Sequence, residues 1–302
     1  MGDIDHFSYG VITPVLAYSL SVLGCLLGLS CTARARSVPT TARRLWFLLL
    51  AAWAIGGTGI WVMHFIAMMG FGVRGTEIRY DVPITAASAV IAVTVVAVGL
   101  FVVGLGRRHP AKILIGGLFT GVGVASMHYT GMAAMRLDGT LAYERQLVIA
   151  SVAIAVVAAT VALWFTVTVR RPMAIIGSAM LMGAAVAGMH YTGMAAIRVH
   201  LHGAGEPVTG SSVIALLVPI VLLVILVVVG LVYAVLTAPT AEDRAATAYL
   251  DARIASRQVE STARANGRPT GTFGFPEPEP QRFPEPEPQR GPTRGRGGTR
   301  RR

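Results

Sequence analysis

The chain has 302 residues, 54% hydrophobic and 14% charged, with a mean hydropathy of +0.62 and a formal net charge of +11. A composition so apolar excludes an ordinary soluble domain and points to a protein that crosses a membrane several times. The basic excess needs no nucleic-acid partner. Of the 26 Lys and Arg, nine lie in three short loops between apolar stretches and twelve lie after residue 240.

Seven apolar stretches come near or exceed the ~20 residues that a helix needs to cross a bilayer. They run over 10–31, 45–70, 83–105, 112–135, 147–169, 173–197 and 212–236. Strand-like alternation is absent, which argues against a barrel. The expected fold class is therefore all-α, a polytopic membrane bundle of seven transmembrane helices over residues 1–240, followed by a disordered tail. The first stretch is flanked by Asp3 and Asp5, where a cleaved signal peptide carries basic residues, so it reads as a retained helix. Cys25 and Cys31, in its second half, read as packing residues rather than a disulfide.

Charge sorts the loops into two classes. Arg34, Arg36, Arg43 and Arg44, then Arg107, Arg108 and Lys112, then Arg170 and Arg171 fill three loops without an acid. The alternate loops mix Arg74, Arg79, Arg136, Arg145 and Arg198 with Glu77, Asp81, Asp138, Glu144 and Glu206. Basic short loops stay in the cytoplasm, so the N-terminus is expected outside and the C-terminus inside.

Within this frame one hexapeptide repeats. Met-His-Tyr-Thr-Gly-Met occupies 127–132 and 189–194, and a relaxed copy, Met63-His64-Phe65-Ile66-Ala67-Met68, occupies 63–68. The copies fall on the second, fourth and sixth helices, so the repeating unit is two helices and the first helix is the extra element. The motif helices are rich in glycine. Gly24 with Gly28 and Gly117 with Gly121 have the four-residue spacing that lets membrane helices approach closely.

A histidine in an apolar span is costly and usually has a partner or a task. Residues i and i+4 share a helix face, so His64 projects with Met68, His128 with Met132 and His190 with Met194. Met63, Met127 and Met189 lie about 100° round, in reach of the same centre or packed beside it. All three motifs sit one or two turns before the same end of their helices, the expected outer end. Three imidazoles with thioethers suit a soft metal: imidazole binds zinc, copper, iron or nickel, and thioether favours Cu(I). No carboxylate lies in the spans, which argues against calcium, magnesium and a di-iron carboxylate centre. Zinc, a bis-histidine haem, and plain interhelical hydrogen bonding by the histidines stay open at this point. Tyr129, Thr130, Tyr191 and Thr192 are candidates to hold the second imidazole nitrogen, or else are interfacial anchors. The His200–His202 pair reads as an incidental loop feature, and His6 and His109 lack supporting context.

Residues 241–262 mix charge with alanine and read as a helix in the cytoplasm. Beyond them the octapeptide Phe-Pro-Glu-Pro-Glu-Pro-Gln-Arg occurs twice, at 275–282 and 283–290, and five arginines follow in 291–302. Such composition favours an extended, solvated chain. The tail over 241–302 is too short and polar for a kinase, a cyclase or a DNA-binding domain, so any output is expected to pass to a cytoplasmic partner of unknown identity. No nucleophile–base pair accompanies the histidines, and no enzymatic activity is expected.

At the motif residues the chain resembles the MHYT family of bacterial integral membrane sensors. The resemblance covers about residues 8–240. It implies seven helices in the bacterial cytoplasmic membrane, an outer N-terminus, and copper held by His64, His128, His190 and their flanking methionines. It also implies sensing of oxygen, carbon monoxide or nitric oxide. The first copy departs from the motif after its histidine, and the cyclic-di-GMP enzymes or kinases fused to many members have no counterpart here. Two other classes compete with the sensor: a copper-handling or transport protein, and a membrane scaffold without metal. Motifs clustered at one depth favour a fixed site over a conduit.

Overall fold

The computed structural model describes residues 3–106, 109–202, 207–237 and 241–265. The repeated octapeptides and the arginine-rich end lie outside the described residues. Residues up to Ala238 form one compact unit and those from Pro239 a second.

The first unit holds seven helices long and apolar enough to cross a membrane. These are α1 (Ile12–Ala35), α2 (Thr41–Met69), α3 (Val82–Gly104), α4 (Pro110–Ala133), α5 (Arg145–Thr168), α6 (Pro172–Ala195) and α7 (Val213–Leu236). Their starts have local causes. The Asp81 carboxylate accepts from the Ile84 N–H at 3.1 Å and opens α3. Pro110 and Pro172, whose fixed φ suits a first turn, open α4 and α6. The Ser212 hydroxyl accepts from the Ala215 N–H at 3.3 Å and opens α7.

α2 is unlike the other motif helices. Residues Trp53–Val62 are wound as a π-helix, the wider turn that is rare and usually brief. Gly56, Gly57 and Gly59 fall in this segment. Ser21 of α1 donates to the Gly59 carbonyl at 2.7 Å, and a Cβ on Gly24 would fall 2.4 Å from the Gly59 nitrogen. The wide segment is thus held by backbone-to-backbone contact with α1, which only a glycine at 24 permits. Gly121 likewise packs against the backbone of Val156, where a Cβ would come within 2.4 Å of its Cα.

Six helices close a ring in the order α1, α2, α3, α4, α5, α6 and back to α1. The motif helices α2, α4 and α6 alternate with α1, α3 and α5. α7 packs outside, against α2 and α1, and only 6% of its span is buried. The two-helix repeat in the sequence begins at α2, but in space α1 takes the ring place beside α6 and α7 packs outside the ring.

At the motif end, short strand pairs tie the loops together. β1 (Ile4–Asp5) pairs with β2 (Gly72–Val73), β3 (Arg79–Tyr80) with β4 (Met135–Arg136), and β5 (Gly139–Tyr143) with β6 (Ile197–Leu201), all antiparallel. These pairs join the segments that follow α2, α4 and α6. Two ion pairs repeat the pattern. Arg136, eight residues after His128, meets Asp81 at the start of α3, and Arg198, eight after His190, meets Glu144 at the start of α5. At the opposite end the Arg36 guanidinium donates to the Thr166 and Val169 carbonyls at the C-terminus of α5.

The second unit contains α8 (Ala241–Ala265), a helix with Tyr249, Leu250, Ile254 and Val259 exposed. Cys25 and Cys31 are both buried free thiols, as the packing reading expected.

Candidate metal centre

The three motif histidines meet on the bundle axis. His64 Nδ1 lies 3.0 Å from His190 Nδ1 and 3.1 Å from His128 Nδ1. The ring centroids are 4.9, 5.0 and 5.1 Å apart, each pair edge-on. All three residues are at most 2% exposed. The alternate ring places of α2, α4 and α6 produce this near-threefold arrangement, since equivalent positions on the three helices project to one point.

The imidazoles of His64 and His128 turn their other nitrogen toward the next repeat. A Cβ on Gly131 would fall 2.3 Å from His64 Nε2, and a Cβ on Gly193 would fall 2.3 Å from His128 Nε2. Both glycines stand three residues after their own histidine. The motif glycine is thus a socket for the neighbouring repeat's ring. In the first copy Ala67 holds this place. None of the three Nε2 atoms has a hydrogen-bond partner.

That pattern sets a proton-accounting problem. A neutral imidazole carries one N–H and one bare nitrogen, and an Nδ1 that donates cannot also accept. Whichever tautomers are chosen, the Nε2 atoms stay unpaired, and at most two hydrogen bonds form at the centre. Buried polar groups left this way are costly and ask for an explanation. With the protons on Nε2, three Nδ1 atoms this close together could act as donors to one metal ion. Nitrogen atoms held at ~2.0–2.1 Å from one ion stand roughly 3 Å apart. His64, His128 and His190 therefore form a buried group that can hold a metal ion. Among the described residues no Asp or Glu is buried, so the donor set carries no charge of its own.

The motif methionines Met63, Met68, Met127, Met132, Met189 and Met194 are all buried, at 4% exposure or less. Met189 lines a cavity inside the ring. The hydroxyls expected on the second imidazole nitrogen are used elsewhere. Tyr129 Oη pairs with Ser151 Oγ at 2.6 Å, and Thr192 donates to the Gly188 carbonyl at 2.7 Å. Thr130 is half-buried and Tyr191 Oη is buried without a partner. The reason lies in the rings' direction: Nε2 of His64 and of His128 faces a glycine of the next motif helix, where no hydroxyl stands. Both tyrosine rings instead pack edge-on against their own motif histidine, at 5.0 Å. His200 is exposed on β6, and His109 accepts from the Ala111 N–H at the start of α4. His6 packs on Phe71 at 5.7 Å. Burial lowers its pKa from the ordinary histidine value, with Asp5 opposing and Arg198 reinforcing the shift.

The family described as a bacterial signalling protein N-terminal repeat, MHYT, matches residues 57–117, 121–179 and 183–248. The chain belongs to the MHYT family. Three MHYT repeats in one chain agree with three motif helices around one axis. A bifunctional diguanylate cyclase/cyclic di-GMP phosphodiesterase, MucR of Pseudomonas aeruginosa, is 36% identical over 188 residues, which is 58% of this chain and 27% of that protein. A cyclic di-GMP phosphodiesterase of the same organism, NbdA, is 37% identical over 194 residues, 61% of this chain and 24% of the relative. The signaling protein YkoW of Bacillus subtilis is 34% identical over 161 residues, 49% of this chain and 20% of the relative. The chain spans about a quarter or less of the length of these curated relatives. No solved structure matches the chain.

Proposed function

We propose that this MHYT protein is a sensor of the bacterial cytoplasmic membrane, with copper at the histidine triad as its receptor centre. The convergence of three Nδ1 atoms, with three buried Nε2 atoms left unpaired, is the observation that carries the reading. The kinship with signalling proteins supports a multi-pass membrane protein in signal transduction. The copper, the gas and the output partner are our own step.

His64, His128 and His190 would supply neutral nitrogen donors, and the buried motif methionines the soft sulfur that favours Cu(I). Bound copper would supply an open coordination place for oxygen, carbon monoxide or nitric oxide, or a redox change. The chain's own task is to hold the three rings, exclude water, and couple their spacing to helix packing. The histidines sit on three different helices, so a change in their separation must move α2, α4 and α6 relative to one another. The loops at the far end from the triad are the basic ones, which supports a reading with the triad near the outer face and the C-terminus in the cytoplasm. Output would pass from there to a separate partner, with the lipid bilayer as the only other surface required and no chemistry performed by this chain.

The test is spectroscopic. Protein purified in detergent after growth with copper should carry the metal, and carbon monoxide or a reductant should perturb its absorption. Bound copper that responds to neither would leave a metal site without a sensor.

A further inference from the structure

A cavity of about 50 Å³ lies inside the ring of six helices. Its lining places it on the axis of the triad. Ile60, Val124 and Val186 all line it, and each stands four residues before a motif histidine, one helical turn away on the same face. The cavity is therefore the next layer of the bundle below the three imidazoles, toward the end that bears the basic loops. Met189, the residue before His190, also lines it.

The wall offers nothing to a polar guest. Its two threonine hydroxyls are spent on helix carbonyls, Thr120 on Val95 at 3.4 Å and Thr166 on Leu163 at 2.7 Å. The Cys25 thiol and the Met182 and Met189 thioethers are weak hydrogen-bonding groups, and the rest of the lining is aliphatic. A buried water needs two to four polar partners, so a chamber like this stays dry. Its volume exceeds the ~10–15 Å³ that one water-sized sphere takes and falls short of the ~150 Å³ that accepts benzene.

We propose that this chamber binds one small apolar molecule of diatomic size and presents it to the triad from below. Access is built into the seam between α5 and α6. Ala158, Met182 and Ala185 line the chamber and also a groove of about 420 Å³ on the outer side of these helices. The groove is walled by apolar side chains such as Val157 and Leu181, both exposed where lipid would lie. Small apolar solutes concentrate in the bilayer, and Met182, long and unbranched, is the one flexible side chain between groove and chamber. The inference deepens the sensor reading and rests on it only for the guest's meaning; occupancy of the chamber is a separate fact.

Xenon is the probe. The full chain in lipid nanodiscs is titrated with xenon and followed by xenon NMR, beside Ala159→Phe, which fills the chamber, and His128→Gln, which alters only the triad. The expected result is a saturable protein-dependent xenon signal in the wild type, kept in His128→Gln and lost in Ala159→Phe. Ala162→Leu gives the same answer if the larger substitution does not fold. Copper content is measured on the same samples, and is expected to fall in His128→Gln and to persist in Ala159→Phe. Xenon binding without copper would keep the chamber and sink the copper centre. A wild-type signal equal to that of both filled variants, or none above empty nanodiscs, overturns the chamber.

Discussion

Gly131 of α4 leaves the space that the His64 ring of α2 fills, since a Cβ at 131 would lie 2.3 Å from His64 Nε2. Gly193 of α6 does the same for His128. The second and third repeats thus carry both a ring for the centre and the socket for a neighbour's ring, while the first has Ala67 at the socket position. These contacts couple α2 to α4 and α4 to α6.

Gly131→Ala and Gly193→Ala should therefore act on a residue of another helix. Each forces an imidazole against a packed wall, and overpacking of this kind costs ~1–3 kcal/mol. Thermal unfolding in detergent should show the loss, and metal content should fall with it. Gly177→Ala is the control, because nothing lies within 4 Å of a Cβ there. Equal stability of Gly131→Ala and Gly177→Ala would refute the socket.

A second prediction concerns Tyr191. Its counterpart Tyr129 bonds Ser151 on α5, five residues before Val156, the residue that Gly121 packs against. The equivalent glycine, Gly183, packs against Val22 of α1. Five residues before Val22 stands Ala17, so the third repeat lacks the serine and Tyr191 Oη is left unpaired. Ala17→Ser should supply the partner and stabilise the protein by ~0.5–1.5 kcal/mol. A destabilised variant would show that α1 does not occupy the place of α3 and α5.

The loops above the triad should respond to acid. The Arg136 hydrogen bond, and then the Ile84 N–H, hold the Asp81 carboxyl below the usual carboxylate range. The folded value is depressed, so the stabilisation is complete above the unfolded value of ~3.9 and is lost as pH falls through the folded one. Amide exchange at Tyr80 and Arg136 should quicken below that range, and Asp81→Asn should show the faster exchange already at neutral pH. The effect should be small, as an exposed pair allows, and smaller still at high salt. Exchange in Asp81→Asn that matches the wild type at neutral pH would contradict it.

Much of this architecture was legible in the residues. Apolar run length located seven spans, because a helix that satisfies its own backbone is the only open structure stable in lipid. The motif period alone points His64, His128 and His190 to one depth in the bundle. Four features were not legible, each for a physical reason. The socket role of Gly131 and Gly193 depends on which helix stands next in the ring, and spacing along one helix does not carry that. The ring place of α1 beside α6 rests on helix-to-helix packing, which the order of the repeats along the chain does not carry. The π-helix at Trp53–Val62 reflects tertiary contact with Gly24 and Ser21, which a hydropathy pattern does not register. The strand pairs at the motif end are two to five residues long, too short to leave an alternating pattern.

The central claim is one metal ion shared by three histidines. Metal stoichiometry measured on the wild type and on His64→Ala, His128→Ala and His190→Ala tests it most directly. One copper ion per chain in the wild type, lost to the same extent in each single variant, is the predicted result, with the relaxed first repeat counting as fully as the other two. Wild-type protein without metal after growth with copper, or His64→Ala that keeps its ion, would contradict it.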